Sequence, residues 1–227
     1  MNANLKQPLA AIIDFGMGNL YSVARACQVV GLTPVITSSP SQVNEADAVI
    51  LPGVGAFESA MEYLREYHLI ESIEQVIQQK KPFLGICLGL QLLMTESYEF
   101  GKHRGLDIIQ GSVIRFENKS GKNGRLKVPH IGWSSIFCPK REETWKNSPL
   151  SRLKNGTHMY FVHSYYVVPS QSSIIGSLSC YGDIEFCSSV KGENLFGCQF
   201  HPERSGPLGL AIYQDWATLV RKVSGKG

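Results

Sequence analysis

Cys87 stands between a short apolar run, Phe83 to Ile86, and leucines at helical spacing, Leu88, Leu92 and Leu93, so the thiol falls where a strand turns into a helix. Gly85 and Gly89, two residues to either side, remove the side chains that would crowd a sharp turn, and G-x-C-x-G is the thiol counterpart of the G-x-S-x-G nucleophile elbow. A cysteine over a helix N-terminus is favoured as thiolate by the helix dipole and free N–H groups. A buried structural cysteine is the alternative reading, and the two glycines weigh against it. The base that such a nucleophile needs is best supplied by His201, in Phe196-Gly-Cys-Gln-Phe-His201-Pro-Glu203, where a strand (Leu195 to Phe200) ends and Pro202 fixes the turn. Glu203 can accept a hydrogen bond from the far ring nitrogen, making Cys87, His201 and Glu203 a triad; an exposed H-P-E turn is the alternative.

The elements that must position these groups alternate. A strand over Ala10 to Ile13, a helix from about Asn19 to Val30, and strands over Thr33 to Thr37 and Ala48 to Leu51 predict an α/β domain with a central, mostly parallel sheet. Ligands then gather at the strand C-terminal ends, where both Cys87 and the turn Pro52-Gly-Val-Gly55 fall. Such a turn can aim N–H groups at an oxyanion, and Leu88, directly after the nucleophile, supplies the second donor. Residues Phe57 to Lys80 read as helical with a break near Tyr67-His68, and Gln91 lies one helical turn beyond Cys87. Gly111 to Phe116 reads as a strand, Glu117 to Arg125 as an exposed loop, and Pro129-His-Ile-Gly-Trp133 as a loop with an aromatic patch. Met159 to Val168 reads as one strand carrying His163, and Gly209 to Lys222 as the closing helix. Gly16 and Gly18 do not make a phosphate loop, because the third glycine and the lysine are missing.

With 227 residues, 43% hydrophobic, the chain can bury a substantial core and is expected to form one domain over 1–227. A net charge of +3 without a long basic run points to neither nucleic acid nor membrane. Six cysteines without a C-x-x-C pair, and no signal-type start, are expected of free thiols in the cytoplasm. No Cys/His cluster has zinc spacing, so neither metal nor cofactor is expected.

G-x-C-x-G-x-Q, the upstream P-G-x-G and the late H-P-E together resemble the class I (triad) glutamine amidotransferases. Asp14-Phe-Gly-Met-Gly-Asn-Leu20, Pro129-His-Ile-Gly-Trp133 and Phe161-Val-His-Ser-Tyr165 further resemble the glutaminase subunits of imidazole glycerol phosphate synthase, which act in histidine synthesis. The resemblance implies a flavodoxin-like three-layer sandwich that hydrolyses L-glutamine and passes ammonia to a (β/α)₈-barrel cyclase subunit forming imidazole glycerol phosphate and AICAR. It also implies an oxyanion hole at Gly53, Val54 and Leu88, a glutamine pocket at Gln91, Glu99, Ser164 and Tyr165, and a partner face including Gly16 to Asn19, Trp133 and Arg204. Ser134 stands where that subfamily usually has asparagine. By residue type alone Glu99 is equally a solvated carboxylate, and His163 either a satisfied core histidine or a support for the pocket. A glutaminase feeding an amidino-sugar, purine or folate enzyme, a non-catalytic interaction subunit, and a cysteine hydrolase on the same fold are the other readings.

Overall fold

The computed structural model describes residues 7–16, 18–117, 120–121, 124–139 and 145–226. The chain opens with β1 (Leu9–Ile13), α1 (Leu20–Val29), β2 (Thr33–Thr37), α2 (Pro40–Glu45), β3 (Ala48–Leu51), α3 (Phe57–Glu66), α4 (Leu69–Gln78), β4 (Phe83–Ile86) and α5 (Leu88–Leu92). Strands β5 (Met94–Ser97), β6 (His103–Arg104), β7 (Ile109–Arg115), β8 (Ser120–Gly121), β9 (Gly124–Arg125), β10 (His130–Phe137), β11 (Thr157–His163), β12 (Tyr165–Pro169), β13 (Ile175–Tyr181), β14 (Ile184–Lys191) and β15 (Leu195–Cys198) follow, and α6 (Gly206–Ser224) ends the chain.

Strands β3 and β4 are uninterrupted apolar runs, AVIL and FLGI, buried at every position, as strands covered on both faces must be. They lie in a parallel block of order β2-β1-β3-β4-β15. One face is covered by α1 and α6, whose Val23, Cys27, Tyr213 and Trp216 share a core with Ile12, Ile50 and Ile86. On the other, Phe57, Leu64, Ile73 and Val76 of α3 and α4 pack with Ile13, Leu51 and Phe83. The stripe Ile212, Tyr213, Trp216, Ala217 and Val220 recurs at the helical period, and each large member contributes about 1.5–3 kcal/mol by leaving water. The expected break in the second helical stretch is His68, whose φ of 53° separates α3 from α4.

Beyond β15 the sheet continues through antiparallel β14 and β12 to β7, with β13, β10 and β11 branching from it. Two expectations change here, and one hairpin is added. The stretch after Pro129 is not a loop, because His130 to Ile136 pairs with β11. Met159 to Val168 is not one strand: it changes partners at Ser164, running with β10 before it and with β7 and β14 after it. Between β12 and β15 lies the hairpin β13–β14. Of the loop expected over Glu117 to Arg125, residues 118, 119, 122 and 123 lie outside the described residues, and 120–121 pairs with 124–125.

Candidate active site

Cys87 directly follows β4 with φ 54° and ψ −108°, a region a residue with a Cβ enters only when its surroundings over-determine it. Three contacts do so. The Cys87 N–H donates to the Cys198 carbonyl at 2.7 Å, the Cys87 carbonyl accepts from the Gln91 N–H at 3.2 Å, and Gly89 lets α5 rest directly on β3. A Cβ on Gly89 would be driven into the Leu51 carbonyl, and one on Gly85 would lie 3.1 Å from the Gly89 oxygen. The two glycines of the elbow thus meet each other and β3.

His201 lies beyond the end of β15, the parallel neighbour of β4. Its N–H donates to the Tyr160 carbonyl at 2.9 Å, its carbonyl accepts from Ser205 Oγ at 2.7 Å, and Pro202 opens a single 3-10 turn after it. Nδ1–H donates to Glu203 Oε1 at 2.8 Å, between side chains only 6% and 2% exposed. Nε2, buried and without a close hydrogen bond, is left to Cys87. Burial alone would lower the imidazole pKa; the charge and hydrogen-bonding of Cys87, with Glu203 behind, outweigh it and raise the value to about 10. The ring is held between the Cys87 sulfur and the Glu203 carboxyl, and its lack of a tight bond to sulfur is the usual state of such a pair without substrate.

The Pro52-Gly-Val-Gly55 turn reaches the same place, but with its carbonyl forward. Gly53 C=O accepts from the Leu88 N–H at 3.3 Å, occupying the donor expected to hold an oxyanion. Gly53 has no room for a side chain, since a Cβ would lie 2.5 Å from Phe15 Cζ. Val54, 41% exposed, carries the N–H on the opposite edge of that peptide plane.

Gln91, Glu99, Ser164 and Tyr165 surround the elbow with assigned bonds. Both N–H groups of the Gln91 amide are used, to the Tyr165 carbonyl at 3.0 Å and Gln199 Oε1 at 3.1 Å, so the residue braces α5 against β12 and the segment before His201. Glu99 Oε2 accepts from the Phe57 N–H at 2.6 Å, capping α3 from outside and leaving Oε1. The Ser164 carbonyl accepts from the Phe116 N–H at 3.0 Å, and Tyr165 is buried with its ring 6.5 Å from that of Phe100. Among the described residues no group of three His, Cys, Asp or Glu is placed to hold a metal ion.

The family model for class-I glutamine amidotransferases matches residues 11–218. The chain belongs to that family. Among curated relatives, imidazole glycerol phosphate synthase subunit HisH of Thermosynechococcus vestitus is 44% identical over 96% of this chain and 100% of its own length. The subunit of the same name from Geobacter metallireducens is 45% identical, covering 91% and 96%. Among solved structures, PurLQS from Thermotoga maritima superposes with a TM-score of 0.67 at 18% identity, over 94% of this chain and 99% of that one. A glutamine amidotransferase from the same organism gives 0.57 at 17%, over 92% and 83%. At such identities these two speak for the fold alone.

Two features of this amidotransferase were not foreseen. Gln199, fully buried, donates from Nε2 to Cys87 Sγ at 3.5 Å; its position two residues before His201 was the only signal, because the side chains it meets, Cys87 and Gln91, are more than a hundred residues away. The second is how Trp133 and Arg204 meet. The Trp133 ring, 56% exposed, is edge-on to Tyr160 at 5.9 Å, and the Arg204 guanidinium stacks 4.4 Å from the same ring. Tyr160 is the residue whose carbonyl holds the His201 backbone. Asn19 is exposed and caps α1 through Oδ1 and the Ser22 N–H at 3.3 Å. Its turn lies beside the Pro52 to Gly55 turn: a Cβ on Gly18 would lie 3.9 Å from Gly53 Cα. Met17, within that turn, lies outside the described residues.

Proposed function

We infer that this chain is the glutaminase subunit of an imidazole glycerol phosphate synthase, releasing ammonia from L-glutamine with Cys87, His201 and Glu203. The observation that carries the chemistry is the His201 ring bonded to the buried Glu203 carboxyl and turned toward the elbow cysteine at the C-terminal edge of a parallel sheet. Cys87 attacks the carboxamide carbon and the C=O pair moves to oxygen. As the oxyanion collapses the C–N bond breaks, and His201 gives its proton to departing ammonia. The same ring, now neutral, takes a proton from water as it attacks the thioester, and collapse of that second tetrahedral adduct expels the thiolate and releases glutamate, restoring the pair of thiolate and imidazolium. Glu203 steadies the charge on the ring throughout. Gln91 and the free oxygen of Glu99, with Ser164 and Tyr165, bind the amino-acid end.

The partner subunit is proposed to be a (β/α)₈-barrel cyclase that takes the ammonia, docked over Asn19, Trp133 and Arg204, and the pair to work in the cytoplasm, where six free cysteines persist. No described helix is long and apolar enough to cross a membrane. Docking is proposed to rotate the Gly53–Val54 peptide, withdrawing the carbonyl from Leu88 and presenting the Val54 N–H, so that both donors face the oxyanion. One such donor is worth about 10²–10³ in rate.

The test is glutamate release by the chain alone, with a barrel cyclase, and with the cyclase plus its nucleotide ligand. A low rate alone and activation of about 10² or more in the full mixture are expected. Wild-type rates in Cys87→Ala would end the triad reading, and full activity without a partner would end the switch.

A further inference from the structure

A continuous, largely buried hydrogen-bond chain runs from strand β10, proposed above to face the partner, to the nucleophile. Ser134 Oγ lies 3.0 Å from His130 Nε2, His130 Nδ1 lies 3.2 Å from His163 Nε2, and His163 Nδ1 lies 2.8 Å from the Tyr165 carbonyl. That carbonyl also accepts from the Gln91 amide, Gln91 donates to Gln199 Oε1, and Gln199 Nε2 donates to Cys87 Sγ. The carbonyl at its middle fixes the direction of each bond. It can only accept, so His163 carries its proton on Nδ1 and accepts on Nε2; His130 therefore donates from Nδ1 and accepts the Ser134 hydroxyl on Nε2. Both rings must be neutral for this order to hold, and burial lowers His130 to about 4 and His163 to about 3, so one tautomer persists through the working pH range. From the other end, Gln199 has one donor on the sulfur and its oxygen held by Gln91, so its amide cannot flip without breaking both bonds.

We propose that Gln199, His163 and His130 are positioning residues for the nucleophile: the chain they form holds a hydrogen-bond donor on Cys87 Sγ and ties it to the register of β10. Strand β10 presents Ile131 and Trp133 outward, 61% and 56% exposed, while His130 of the same strand points into the chain. A shift of β10 by a partner therefore acts on the sulfur by a route separate from the Gly53–Val54 turn. The proposal rests on Cys87 being the nucleophile, and its test is chosen to be readable without glutaminase turnover.

That test is the alkylation of Cys87 by iodoacetamide, followed by peptide mass spectrometry from pH 5 to 10 to separate it from the exposed Cys180. Gln199→Glu still accepts from Gln91 but cannot donate to sulfur. Its alkylation profile is expected to move to higher pH, with Cys87 reacting about tenfold more slowly at pH 7, the size expected of one hydrogen bond to an ion. Gln199→Leu, of similar volume, removes the donor without adding charge and should move the profile in the same direction. For the distant links, His163→Leu should move it likewise. His163→Asn, whose amide can still donate to the Tyr165 carbonyl, should restore most of the wild-type profile. In glutamate release the same variants should lower kcat more than they raise KM. Wild-type alkylation profiles in both Gln199 variants would overturn the proposal. A wild-type profile in His163→Leu, with only its melting temperature lowered, would overturn the part played by the histidines. Loss of glutamate release in wild type would instead count against the glutaminase reading, and leaves the alkylation comparison intact.

Discussion

At the scale of single residues, Cys87, His201 and Glu203 divide the work unequally. Cys87→Ala should abolish glutamate release, His201→Ala should be nearly as severe, and the double variant should be little worse than either, because the two act as a unit. Steady-state assays of the three variants check this, and strictly additive losses in free energy would contradict it. Glu203→Gln keeps shape and loses charge, so kcat should fall less than in Cys87→Ala, with KM for glutamine nearly unchanged. Stability should register the same ring. His201 titrates at about 10 in the folded chain against an ordinary value of about 6.5, so its contribution is fully present below about pH 6.5 and is lost as pH rises toward 10. Weakening the support from Glu203 lowers the upper end of that window. Melting temperatures between pH 7 and 10 should therefore fall earlier on the alkaline side in Glu203→Gln than in wild type.

At the scale of elements, two turns and one strand carry the behaviour. If the Trp133, Tyr160 and Arg204 cluster senses docking, Trp133→Ala and Arg204→Ala should leave the partner-free rate unchanged and reduce the activation by partner and nucleotide by about tenfold, the cost of one good interfacial anchor. Unaltered activation in both would sink that assignment. These elements also show what a sequence can and cannot disclose. The elbow was legible because its requirements are local: two glycines, an apolar run, and leucines at helical spacing lie within eleven residues. Strands β1, β3 and β4 were legible because burial on both faces leaves an unbroken apolar run. The strand β10 was not, because glycine and proline in Pro129-His-Ile-Gly-Trp133 imitate a loop while its pairing with β11 is settled by residues thirty positions away. For the same reason residue type does not choose between core and pocket for His163: its partner is fixed only by the register that sets His130 opposite it. The direction of the Gly53 carbonyl was illegible in principle, since glycine admits either orientation of the peptide.

At the scale of the whole molecule, the parallel block and the antiparallel extension have separate duties: the first brings the ends of β4 and β15 side by side, the second supplies the pocket wall and the exposed face of β10. The backbone at Cys87 ties local chemistry to global endurance. With φ at 54° and ψ at −108°, that residue holds roughly 1–3 kcal/mol of conformational strain which the rest of the fold must offset. Alanine at this position would keep the strain and lose the thiol; glycine would lose both. In most contexts glycine is the less stable of the two by about 0.5–1 kcal/mol. Here the order should reverse, with Cys87→Gly melting several degrees above Cys87→Ala, at about 2–4 °C per kcal/mol for a chain of this size. Calorimetry on the two inactive variants decides it, and Cys87→Ala melting higher would show that the elbow is relaxed. If the order does reverse, natural selection for thermal robustness and selection for turnover pull in opposite directions at this one codon, and a chain released from the need to hydrolyse glutamine would drift there toward glycine.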